Sequence, residues 1–82
     1  MLTAEITLNN SDAAKDFSKI CAEQPFDIDV VYGHYTVDAK SLLGLLSIQP
    51  GVKLCCCVHA NNDVAGDYIN QIKKFLVNKE AI

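Results

Sequence analysis

The spacing of apolar residues along the chain switches between a period of two and a helical period of about 3.6, and the switches mark out its elements. Residues 2–8, LTAEITL, alternate, with Ala4, Ile6 and Leu8 on one side and Thr3, Glu5 and Thr7 on the other, which predicts a strand. NNSDAAKDFSKICAEQ follows, with Asn10, Ser11 or Asp12 as cap and Ala13, Phe17, Ile20 and Cys21 at helical spacing, so a helix is expected to run up to Pro25. DIDVVYGHYTVDA reads as two strands joined at Gly33-His34, a glycine-first pair suited to a type II′ turn. Residues 41–48 predict a short buried helix, with Leu42, Leu43, Leu45 and Leu46 around most of its circumference and Pro50-Gly51 after it. VKLCCCVHA is another strand. From an Asn61 or Asn62 cap, a last helix is expected to reach the chain end, carrying Ala65, Tyr68, Ile69, Ile72, Phe75 and Leu76 inward.

The resulting order, β-α-β-β-α-β-α, predicts an α+β domain in which helices cover one face of an antiparallel sheet and leave the other to water. Alternation then directs Val52, Leu54, Cys56 and Val58 toward the helices, and Lys53, Cys55, Cys57 and His59 away. In the second strand Ile28, Val30 and Tyr32 are expected inward, and Asp27, Asp29 and Val31 outward.

Composition narrows the function classes. Residues 1–82 are read as one domain, because a chain of this length has room for a single core. The formal charge is −3 and all 7 cationic residues are lysines, so the bidentate phosphate grip of arginine is missing and nucleic acid is not an expected partner. The sequence carries no apolar run of the roughly 20 residues that a bilayer span needs. MLTAEITLNN lacks the features of an export signal, so the expectation is a cytoplasmic protein with no membrane partner. Of the 4 cysteines three are adjacent, in LCCCV, and in a reducing compartment they are read as free thiols.

In element order, and most closely in DIDVVY, in VDAKSLLGLLS and in the last amphipathic segment, the chain resembles the histidine-containing phosphocarrier (HPr) family of the bacterial sugar phosphotransferase system. The resemblance implies an open-faced sandwich: a four-stranded antiparallel sheet with three helices on one face. It also implies protein partners, either phosphotransferase-system components or a transcriptional regulator, and no cofactor. The serine that is phosphorylated for regulation in Gram-positive members maps onto Ser41 in AKSLLGL.

The family's chemistry departs at the first helix. Members open it with a Gly-x-His-x-Arg-Pro-Ala type motif, whose histidine carries the phosphoryl group. Here the matching stretch is NNSDAAKDF, with no histidine, arginine or proline. An ungapped match sets Asp12 near the histidine's place and Ala14 at the arginine's, while a one-residue shift sets Ala13 at the histidine's place. The reading is therefore a non-catalytic regulatory or interaction module. Its alternatives are a carrier that uses Asp12 as an acyl-phosphate acceptor, or a relic domain without a partner.

Three further groups carry side chains with chemistry to consider. Ser41 is either a helix cap or a phosphorylation site at the head of the second helix. Phe17, Leu42, Leu45 and Leu46 are either core or a protein-docking patch. Cys55, Cys57 and His59, with Asp29 on a neighbouring strand, carry ligand atoms. Alternate strand residues nevertheless stand nearly 7 Å apart at about 3.3 Å per residue, so no metal site is expected. The cationic KKFLVNK is read as complementing the last helix's dipole.

Overall fold

The computed structural model describes residues 1–77. Its elements are β1 (Leu2–Thr7), α1 (Ser11–Ala22), β2 (Ile28–Tyr32), β3 (Tyr35–Asp38), α2 (Leu42–Leu46), β4 (Lys53–Val58), α3 (Asn62–Gln71) and a 3₁₀ turn, η1 (Lys73–Phe75). The strands pair antiparallel in the order β1-β4-β2-β3, so β4 crosses to the centre between β1 and β2. The expected α+β sandwich is what forms.

Side-chain alternation explains which face is dry. Ile6, Ile28, Val30, Leu54, Cys56 and Val58 project from one face and are buried, against Ala14, Phe17 and Cys21 of α1 and Ala65 and Tyr68 of α3. Two edge-to-face aromatic pairs lock this layer: Phe17 with Phe75 at 5.4 Å between ring centroids, and Phe26 with Tyr68 at 5.7 Å. The β2–β3 turn has Gly33 at φ 62 and no positive φ at His34, the pattern of a type II′ turn.

The structure departs from the expected elements in three places. The last helix does not run on: α3 stops at Gln71, Ile72 takes φ −98 and ψ 9, and η1 follows. Leu76 is then extended and bridges to Ile6, while the Val77 amide donates to the Glu5 carbonyl at 2.9 Å. The segment thus covers the free side of β1, an edge strand whose unpaired groups would otherwise lie open. Lys73 and Lys74 sit in the 3₁₀ turn, with Lys74 Nζ 3.9 Å from Asp16 and 5.2 Å above the Phe75 ring. The remainder of KKFLVNK, from residue 78, lies outside the described residues.

Second, α2 is five residues long and not buried all round: Leu45 is 3 % exposed, yet Leu43 is 82 % and Leu46 is 44 % exposed. The reason is that so short a helix presents a single side to α1 and β3. Third, Tyr32, expected inward, pairs with Tyr35 at the strand end and is exposed.

Candidate functional site

The head of α1 forms where the apolar strand ends and NNSD supplies side chains that compete for backbone amides. Asn10 is the cap: its backbone is extended (φ −158, ψ 176) and its Oδ1 accepts the Ala13 N–H at 2.8 Å. Asp12 is therefore not the cap, one of the roles open to it in the sequence. It is an exposed first-turn carboxylate that complements the positive helix end. Ala13 is half-buried and Ala14 is buried in the core. Residues 9–16 contain no imidazole and no guanidinium. Beside this helix end runs a shallow groove of 240 Å³, lined in part by Leu8, Ser11, Leu45, Leu46 and Gln49. Next to it the Gly51 N–H donates to the Leu8 carbonyl at 3.0 Å, which ties the segment carrying Gln49 to the residue after β1.

Neither histidine belongs to that end of α1. His34 is exposed in the β2–β3 turn. His59 follows β4, and its Nε2 lies 2.8 Å from Asp29 Oδ2 on the face away from the helices.

Ser41 caps α2 rather than standing in its first turn. Its Oγ accepts the Gly44 N–H at 3.3 Å, and the serine is exposed. One side-chain contact ties α2 to β3, through a serine that also closes the last turn of α2. The Tyr35 hydroxyl and Ser47 Oγ are 2.8 Å apart, and Ser47 Oγ donates to the Gly44 carbonyl at 2.6 Å. Gly44 allows this approach, since a Cβ there would meet the Val37 Cβ at 3.2 Å. The neighbouring Lys40 is tied elsewhere, its Nζ donating to the Gln24 carbonyl at 3.0 Å.

The four residues read as either core or docking patch separate. Phe17 is 0 % exposed and Leu45 is buried, so both are core side chains and cannot present a surface. Leu42 is half-buried, and Leu46 is open beside the groove. Leu43, more exposed than either, lies on the same helix and was read from the sequence only as part of a buried run.

A buried cluster went unread in the sequence: the Tyr68 hydroxyl lies 3.2 Å from Cys21 Sγ and 3.6 Å from Cys56 Sγ. Burial pushes the Cys21 thiol up to about 11 and the Cys56 thiol up to about 12. Burial raises the Tyr68 phenol too, reinforced by Cys56. All three groups stay protonated near neutrality, which makes them inert packing groups and not nucleophiles. The only available signal was that each falls on an inward-facing position of its own element.

On the opposite face, Cys55 and Cys57 project beside each other with their sulfurs 3.8 Å apart. The spacing along the strand axis suggested that their side chains could not meet at one ion, but these two converge without a bulge. Cys57 faces Thr3 on β1 and Asp29 on β2, and Cys55 faces Glu5 and Val31. The Cys57 thiol is raised, first by partial burial and then by its hydrogen bond with Cys55. No set of three or more His, Cys, Asp or Glu side chains positioned to hold a metal ion occurs among the described residues.

No protein-family model and no curated protein sequence matches the chain. Among solved structures, it is similar to the crystal structure of HPr-C-His from Thermoanaerobacter tengcongensis, with a TM-score of 0.74 and 18 % identity over 100 % of this chain and 98 % of that one. The HPr-like fold is thereby shown.

Proposed function

We propose that this chain is an HPr-like module that does not carry a phosphoryl group and acts by surface contact with protein partners. The observation that carries the reading is the chemistry at the head of α1. Asn10 occupies one helix amide, Asp12 is the sole ionisable side chain of the first turn, and residues 9–16 hold no histidine or arginine. A phosphoryl group in transit needs a nucleophile and cationic or amide donors around its oxygens. A carboxylate at that point repels the incoming dianion, and no guanidinium offsets the repulsion.

The contact surface in this reading is the exposed side of α2, Leu43 and Leu46 with the half-buried Leu42, beside the groove at α1. Ser41 is its switch. The hydroxyl is accessible and one residue from Leu42, so a phosphate there would add about −1.5 to −2 charges at the edge of the apolar surface. The Gly44 amide could donate to it, whereas Lys40 Nζ is engaged with Gln24. Partners in this reading are phosphotransferase-system components or a transcriptional regulator. The localisation that goes with them is a reducing, cytoplasmic compartment.

The switch is tested by incubation with an HPr serine kinase and intact-mass measurement. The expected result is addition of one phosphate to the wild type and none to Ser41→Ala. An unmodified wild type beside a phosphorylated HPr control would remove Ser41 from the account.

A further inference from the structure

The face of the sheet opposite the helices carries a feature that an interaction module of this kind does not use. Cys55 and Cys57 are consecutive outward residues of the central strand β4, Cys55 is exposed, Cys57 is partly so, and their sulfurs lie 3.8 Å apart. We propose that this thiol pair is a binding site for a single copper(I) ion.

Geometry separates this reading from its rivals. Alternate residues of a strand stand about 6.6 Å apart at about 3.3 Å per residue, at the upper limit of the 4.4–6.8 Å between Cα atoms that a disulfide tolerates. Both flanks of β4 are moreover hydrogen-bonded, to β1 and β2, so the backbone cannot bend to shorten that span. An intrachain disulfide is therefore opposed by the ladder. One ion held in line between two thiolates at about 2.3 Å each needs the sulfurs about 4.6 Å apart, and the 3.8 Å found here falls short of that by less than about 1 Å, a gap that rotation of the two side chains closes.

Ligand count then chooses the metal. Zinc in a protein site wants about four ligands from Cys, His and carboxylate, and no third protein group joins this pair among the described residues. His59, next along the same face, has its Nε2 engaged with Asp29 at 2.8 Å. Copper(I) is soft, selects thiolates, and is satisfied by two of them with an open side toward solvent. Glu5 opposite Cys55 and Asp29 opposite Cys57 add negative charge around the pair, favourable to an arriving cation. Binding exchanges two thiol protons for one copper(I), so two protons leave and the bis-thiolate site carries one negative charge, with no change of oxidation state.

The test is anaerobic titration of the fully reduced protein with copper(I) in competition with bicinchoninate. The wild type is expected to withdraw one equivalent per chain. Cys55→Ser or Cys57→Ser should each weaken binding at least tenfold, and the double variant should withdraw none, with unchanged far-ultraviolet circular dichroism throughout. Cys21 and Cys56, buried against Tyr68, contribute nothing to the expected stoichiometry. Failure of the wild type to compete with bicinchoninate would overturn the proposal. So would binding that survives in the double variant, or one equivalent of zinc held by the wild type against a pyridylazo-resorcinol indicator.

Discussion

The carboxamide oxygen of Asn10 meets the backbone N–H of Ala13 at 2.8 Å, so one amide at the mouth of α1 is taken by the chain's own side chain. The same amide would be among the donors available to an anion at an uncapped helix end. Asn10→Ala is expected to lower stability by about 1 kcal/mol and Asn10→Asp to leave it nearly unchanged, both read by urea denaturation. Asp12→Asn should stay within about 0.5 kcal/mol of wild type, since the carboxylate is exposed and makes no cap.

Phe17, open in the sequence between core and docking patch, and Leu43, expected in a buried helix, end at opposite extremes of exposure. Phe17→Ala removes a fully buried ring packed on Phe75 and is expected to cost about 3–5 kcal/mol. Leu43→Ala should change stability by no more than about 0.5 kcal/mol. A chemical-denaturation midpoint for each variant checks both. If α2 is a contact surface, Leu43→Ala is the variant that weakens a partner while leaving the fold intact.

Alternation in VKLCCCVHA and LTAEITL placed Cys56, Val58 and Ile6 inside and Cys55 and Cys57 outside, because a period of two leaves a strand little choice once one face is covered. The far end of α3 was not legible for the converse reason. Ile72, Phe75 and Leu76 keep helical spacing, and only the open edge of β1, a tertiary fact, draws Leu76 into pairing with Ile6. In α2 the four leucines allow any side to face inward. The choice of Leu45 depends on where α1 and β3 stand, with Gly44 set against Val37 of β3. At the candidate site the missing imidazole could be read directly, whereas the approach of the Cys55 and Cys57 sulfurs depends on side-chain rotation that the strand repeat does not specify.

Tyr68 ties Cys21 to Cys56 across the core, and all three titrate above their ordinary values, so their folded forms hold protons more tightly than the unfolded chain does. The stability they contribute is complete below the ordinary thiol value of 9.0 and is lost as pH rises toward the folded values of about 11 and about 12. Each thiol that ionises only in the unfolded state steepens the loss by up to about 1.4 kcal/mol per pH unit. Urea midpoints are expected to show no loss from these groups up to about pH 8 and a decline above about pH 9. The decline should be shallower in Cys21→Ala, which is less stable at neutral pH but has one buried thiol fewer.

Tyr68→Phe tests the same cluster at neutral pH. It leaves the ring's packing on Phe26 and removes only the hydroxyl shared by the two thiols. The expected cost is about 0.5–1.5 kcal/mol, measured by denaturant midpoint, because the remaining thiols are weak donors and tolerate burial as small apolar groups.

The most direct measurement is phosphotransfer from radiolabelled phosphoenolpyruvate through the first enzyme of the sugar phosphotransferase system, with an HPr control in a parallel reaction. The account expects label on the control and none on this chain. Label on this chain, whether acid-labile as on a histidine or hydroxylamine-labile and abolished by Asp12→Asn, would contradict it.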